Sequence, residues 1–327
     1  MVQKQSEIPS QNLLHKETGF ELGTGSTLGA VREETAPTRV SSPGKDAWRR
    51  FRHNWAAMLS LSIILALIFI AAFAPFLHTM SPYYIDYGNL DAPSSAQHWF
   101  GTDGLGRDQY SRLLFGLRIP LIVGILGATV TTVLGMLIGV IAAYAGGWID
   151  QLLSRFTDLV FAFPAFLLAI LSVSLFGKAF DPYFGGGGRV IVFVIIFGLV
   201  GWPSLMRFVR SLALSLKEQQ FVEAARTCGS SSWTILRRHL LPNMYGLALV
   251  QAGFIVVGFV YTEAVLSILG LGVLPPNPDL GVMLYNGVDR LGYSAAEVLY
   301  PSIALTVIIL AFTFLGDGVR DAVDPRG

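Results

Sequence analysis

"FVEAARTCGSSSWTILRRHLLPN", residues 221–243, is a polar stretch set between two long apolar runs. Those flanks decide the fold class, because each is long enough to cross a hydrocarbon core of about 30 Å as a helix of roughly 20 residues. Counted along the whole chain there are six such runs: 55–77, 119–145, 159–177, 190–206, 244–269 with Glu263 inside it, and 298–315. Only helices satisfy every backbone group in lipid at these lengths, so the expected fold is an all-α membrane protein with six transmembrane helices. Composition agrees: of 327 residues 53% are hydrophobic and 14% charged, against about a quarter charged in soluble domains.

Residues 1–44 are rich in Ser, Thr, Gly, Gln and Glu without periodicity, which predicts a disordered tail. Segment 45–117 is expected to hold a short interfacial helix, the first span and an external loop. Residues 118–317 would hold five more spans and a connecting loop at 207–243, and 318–327 a terminal tail. Of the 23 Lys and Arg, 17 fall on the side of the tails, Arg155 and the 207–243 loop, and six on the other. The positive-inside rule therefore places both termini in the cytoplasm and membrane lipid around the spans. In "DAWRRFRHNW", Trp48, Phe51 and Trp55 share a helical face with Arg49, Arg50 and Arg52 largely off it, the pattern of a helix lying among lipid headgroups.

The second run carries Gly124, Gly127, Gly135 and Gly139, the last two at the spacing that lets membrane helices approach closely. Pro164 and Pro203 fall inside the third and fourth runs, where neighbouring helices can absorb a kink. Glu263 is a carboxylate well inside a span, which makes it a candidate pathway residue. The alternative is that the span ends nearby and the side chain reaches the outer interface.

No phosphate-cradling loop is present. "GTDGLGRD" (101–108), "GGGG" (185–188) and "GTGST" (23–27) all lack the Gly-Lys-Ser/Thr ending of a nucleotide loop. The first is expected to be a tight external turn, which accounts for Gly101 and Gly106 but not for Asp103, Arg107 and Asp108. The lone Cys228 cannot form an internal disulfide. No paired nucleophile and base, and no His inside a run, speaks for an intramembrane enzyme, and a single acid is thin for a proton-coupled transporter. No catalytic or metal residues are expected in this chain.

Within 221–243, residues 217–228 hold no helix breaker, Gly229 suits a left-handed helix end, and Ser230 to Ser232 offer an N-cap for a second helix that Pro242 closes. Two short helices at a tight elbow are expected, with Phe221, Ala225 and Cys228 on one side and Glu223 and Arg226 on another. The spacing from Ala225 to Gly229 also matches a DNA-binding helix-turn-helix, but the stretch is short and only mildly basic, so no nucleic acid is expected.

Glu223, Ala224, Ala225, Gly229, Leu241 and Pro242 resemble the Glu-Ala-Ala loop of the inner-membrane permeases of binding-protein-dependent ABC importers. "RRHLLPN", "HWFGTDGLGRD", "LSILGLGVLPPNPDLG" and "LGDGVRDAVDPR" are similar to the dipeptide, oligopeptide and nickel branch, although Asp279-Leu280 stands where that branch has Glu-Trp. The resemblance implies a bacterial cytoplasmic (inner) membrane location and a permease subunit for di- or oligopeptides, or for nickel or a glutathione-type solute. It implies a coupling helix around Glu223 to Gly229, Arg226 included, that docks a cytosolic ATPase. It also implies a homologous second permease, two ATP-binding subunits that hold ATP and Mg, and an external solute-binding protein.

Overall fold

The computed structural model describes residues 43–183 and 187–323. The expected disordered tail over 1–44, but for its last two residues, falls outside the described residues. So does the end of the expected tail over 318–327.

Among the described residues the elements are helical: α1 (Pro43–His53), α2 (Trp55–Leu77), α3 (Gln109–Gly116), α4 (Arg118–Ala145), α5 (Gly147–Phe161) and α6 (Ala165–Phe180). They continue with α7 (Gly188–Lys217), α8 (Gln220–Thr227), α9 (Ser232–Ile235), α10 (Leu241–Ile268), α11 (Leu280–Val288) and α12 (Ala296–Val323). By length and composition, five helical stretches suffice to cross a membrane, and α5 with α6 makes a sixth if that bent pair is one span.

That pair corrects the reading of 159–177 as one helix. α5 and α6 meet at an angle of 72°. Pro164 lies at the break with ψ 115°, outside both helices. Its missing N–H and its ring both oppose a continuous helix, and here the chain turns instead of absorbing a kink. α6, with 16 residues, is about 24 Å long, short of a full hydrocarbon core. α5 carries Asp150 and Asp158, which pair with Arg210 and Arg207 of α7.

α4 sits at the centre of the bundle because its glycines remove side chains where neighbours press. A Cβ on Gly135 would lie 2.7 Å from Leu205 Cβ, and one on Gly139 would lie 2.8 Å from the Met206 carbonyl oxygen, both on α7. A Cβ on Gly124 would lie 2.7 Å from Val260 of α10. Small residues let these helices gain dispersion contacts that lipid cannot outcompete.

α1 packs against the bundle. Trp48 and Phe51 stack at 5.7 Å, and Phe51 is buried with Ala57 and Ala322, so α1 is fastened to α2 and α12. Trp48 and Trp55 stay exposed. Asn54 separates the two helices by accepting a hydrogen bond from the Ala57 N–H. α12 runs to Val323, well past the expected end at 315.

Candidate functional site

The polar stretch forms the expected elbow, with three corrections. α7 stops at Lys217 and a new helix starts at Gln220, because Gln219 is extended (ψ 144°). The break lets α8 turn Val222 into a cluster with Val140, Ala143, Ile235, Leu236 and Leu240. Val222, fully buried, is therefore the inward residue of α8, while Phe221 and Cys228 are exposed. Nor does Pro242 close the second helix. Residues Ser232–Ile268 form one helical stretch, with a π turn over Leu236–Leu240. Pro242 has no N–H for the carbonyl four residues back, and at this point the Leu241 N–H bonds back to the Leu236 carbonyl, five residues away.

Gly229 has φ +78°. It ends α8 with the Ser230 N–H on the Ala225 carbonyl (3.0 Å) and the Gly229 N–H on the Arg226 carbonyl (2.9 Å), the double bond pattern that glycine-ended helices use. Ser231 then caps α9, its Oγ accepting from the Thr234 N–H at 3.3 Å. The outer surface of α8 presents Glu223, Ala224, Arg226 and Thr227 to solvent, with Ala225 half-buried beneath. Leu241 and Pro242 open α10 beyond the π turn.

A cleft of about 360 Å³ separates the elbow from the end of α4, lined by Tyr144, Lys217, Arg226, Ser232 and Leu240 among others. Lys217 Nζ donates to the Ala143 carbonyl. The elbow is thus tied to α4 by the Val222 cluster, and the end of α7 just before it by the Lys217 ammonium group.

At the opposite end of the helices, the turn at 101–108 accounts for the acids that the glycines alone could not. Asp103 Oδ1 accepts from the N–H groups of Leu105 (3.0 Å) and Arg107 (2.9 Å), and its Oδ2 from Arg107 Nε (2.7 Å). Gly106 has φ +76° and a Cβ there would lie 2.2 Å from the Asp86 carbonyl oxygen; Gly101, also at +76°, would meet the Ala92 carbonyl oxygen at 2.4 Å. Asp108 caps α3 through the Ser111 N–H (2.8 Å) and takes Thr79 Oγ1 (2.9 Å) and His98 Nδ1 (2.9 Å). Arg112 donates to the carbonyls of Pro82 and Pro276, and Arg290 pairs with Asp91. Residues 78–117 and 270–297 are stitched by these bonds into a platform at this end of the bundle.

Glu263 is wholly buried and packs within its own chain, one turn from Ser267, whose Oγ donates to it at 2.8 Å.

The geometry can be set beside known proteins. The model of the binding-protein-dependent transport system inner membrane component matches residues 135–326, and that of the N-terminal TM domain of oligopeptide transport permease C matches 42–94. The glutathione transport system permease protein GsiD of Pectobacterium atrosepticum is 38% identical over 305 residues, covering 92% of this chain and 96% of its own. GsiD of Escherichia coli is 40% identical over 294 residues, covering 89% and 93%. The chain belongs to the binding-protein-dependent permease family. A solved structure of the MetNI methionine ABC transporter in inward-facing conformations shares the fold, with a TM-score of 0.51 at 20% identity, over 65% of this chain and 96% of that one.

As a permease of an ABC importer the chain is a transport subunit, and the elbow and the platform occupy opposite ends of its helices. Glu223 to Gly229, Leu241 and Pro242 come together at the first. Gly101, Asp103, Gly106, Arg107 and Asp108 form a single turn at the second, and Glu263 lies apart from both. Sequence reasoning missed Lys217 as a tie to α4 and Asp279 as a buried partner of the Ser267 region. An Asp directly before the apolar run 280–284 is an N-cap signal that would have revealed α11.

Proposed function

We propose that this permease pairs with a homologous second permease to form an inner-membrane pathway for a small peptide of the glutathione type, driven by two cytosolic ATP-binding subunits. The single observation that carries the coupling part is the elbow: a short helix with exposed Glu223, Ala224 and Arg226, closed by a left-handed Gly229 and continuous through Ser232 with a membrane-crossing helix. ATP and Mg are bound by the partner subunits. Their closure around ATP pushes on the elbow and switches the bundle between inward-open and outward-open states as a rigid-body change. An external solute-binding protein delivers the peptide to the outer platform. The solute class rests on the names of the GsiD relatives, whose 38–40% identity spans nearly the whole chain.

Uptake of labelled glutathione and of di- and oligopeptides by cells expressing the complete transporter tests the solute. Glutathione and short peptides are expected to compete for entry. Uptake of neither, with the transporter assembled, would overturn the solute while leaving the family membership untouched.

The elbow and both termini are assigned to the cytoplasm on the 17 to six distribution of Lys and Arg. In a Cys228→Ser background, Leu105→Cys puts one thiol on an exposed platform residue. A membrane-impermeant thiol reagent is expected to label it from outside intact cells. Labelling only in inverted vesicles would reverse the topology.

A further inference from the structure

Glu263 on α10 and Asp279 at the N-cap of α11 are both wholly buried. Glycines bring them together: a Cβ on Gly281 would lie 2.5 Å from Ser267 Cβ and 2.9 Å from the Ala264 carbonyl oxygen. One on Gly272 would lie 2.2 Å from Ser267 Oγ. Ser267 Oγ donates to Glu263 Oε1 at 2.8 Å and is within reach of the Asp279 carboxyl as well. A hydroxyl has one proton to give, so it serves one of these acids at a time.

The hydrogen-bond inventory then comes up one donor short. Asp279 Oδ1 accepts from the Gly281 N–H at 3.3 Å, and its carboxyl faces the N–H groups of Leu280 and Val282 at the start of α11. Glu263 has only Ser267. Glu263 Oε2 and Asp279 Oδ2 are left buried without a partner. The cations packed nearby bond to backbone: Arg112 of α3 to the Pro82 and Pro276 carbonyls beside Asp103, and Arg189 of α7 through one terminal nitrogen to the Gly272 carbonyl at 2.6 Å, its Nε buried without a partner. The charges of Asp279 and Tyr83 both act on Arg112. Neither arginine forms an ion pair with either acid among the described residues, and no third His, Cys, Asp or Glu joins them there to make a metal site. Two adjacent ionised carboxylates with no cation paired to either in so dry a place would be prohibitively costly.

We propose that Glu263 and Asp279 bind a single proton between them, carried on Glu263 and offered to Asp279 Oδ2, so that a neutral acid and a carboxylate tie the outer end of α10 to α11. One O–H satisfies both orphaned oxygens. The one negative charge left falls on Asp279, where the first N–H groups of α11 favour it. Burial pushes the Asp279 carboxyl above its ordinary range against the pull of those N–H groups, and the proton from Glu263 supplies the missing donor.

Infrared difference spectroscopy of the full chain in lipid nanodiscs at neutral pH tests this through the carbonyl stretch of protonated carboxyl groups. Glu263→Gln keeps the shape and supplies an amide donor in place of the O–H, so Asp279 stays ionised, and one protonated-carboxyl band present in the natural chain is expected to vanish. Asp279→Asn keeps the helix cap but removes the acceptor, so the same band is expected to shift or disappear. A band indifferent to Glu263→Gln would overturn the protonated Glu263. A band lost with Glu263→Gln but unmoved by Asp279→Asn would overturn the sharing.

Discussion

Gly229→Val abolishes solute uptake while the chain reaches its normal abundance in the membrane: that is the expected result of placing a β-branched residue at φ +78°. No atom lies within 4 Å of the position a Cβ would take, so no clash with the bundle follows. The cost is backbone conformation, about 1–2 kcal/mol for a non-glycine residue in the left-handed region and more for a side chain stiff at χ1. The membrane helices do not depend on this turn, so insertion survives. The hydrogen bonds at Ser230 and Gly229 do depend on it, and losing them swings the exposed face of α8 relative to α9. Gly229→Asn, which tolerates the left-handed region, is expected to keep most of the uptake. The measurement is uptake and co-purification of the ATP-binding subunits, each normalised to permease abundance. Full uptake by Gly229→Val would make the elbow a passive connector and withdraw the coupling assignment.

Asp108→Ala is expected to undo the platform. Its carboxylate is completely buried and holds His98, Thr79 and the Ser111 N–H together. Removing the carboxylate leaves the buried His98 ring nitrogen without its hydrogen-bond partner, at about 1–3 kcal/mol, and the lost helix cap adds about 1 kcal/mol. The effect reads out as a lower melting temperature of the purified chain and as protease cleavage within residues 78–108, which are held by these bonds and not by secondary structure. Asp108→Asn keeps a good cap and is expected to lose less. An unchanged melting temperature in Asp108→Ala would mean that the platform is held by its other ties, Arg112 and Arg290.

The readability of this molecule from its sequence follows the range of the interactions involved. The charge-free runs are local, and so is the glycine spacing of α4, which implies a close helix neighbour without naming α7 as that neighbour. The left-handed Gly229 and the capping Ser231 are equally local and were legible. The break at Gln219 was not, because nothing in 217–228 opposes a helix; the chain turns there to bring Val222 onto a cluster supplied by α4, α9 and the π turn. Asp103 and Asp108 looked unexplained because their partners, such as Thr79 and His98, lie in a loop with no periodicity. The Glu263 and Asp279 pairing was invisible for the same reason: only folding α11 back onto α10 makes neighbours of them. As for Pro164, its chemistry was legible and its consequence was not, since a proline in an apolar run can either kink a helix or end it, and the packing of α5 against α7 favours the second.

The π turn over Leu236–Leu240 has a mechanical meaning. By letting the helix pass Pro242 without stopping, it joins the elbow to α10 in a single stretch of 37 residues, Ser232–Ile268, a beam about 55 Å long at 1.5 Å per residue. The foot of that beam is the serine cap of the elbow, and its far end carries Ser267 and abuts α11. A tilt of a few degrees at the foot becomes a displacement of several ångströms at the head by leverage alone. On the coupling proposed for the polar stretch 221–243, a partner that gripped it would move the platform at the far end directly, with no chain of side-chain rearrangements needed to carry the message.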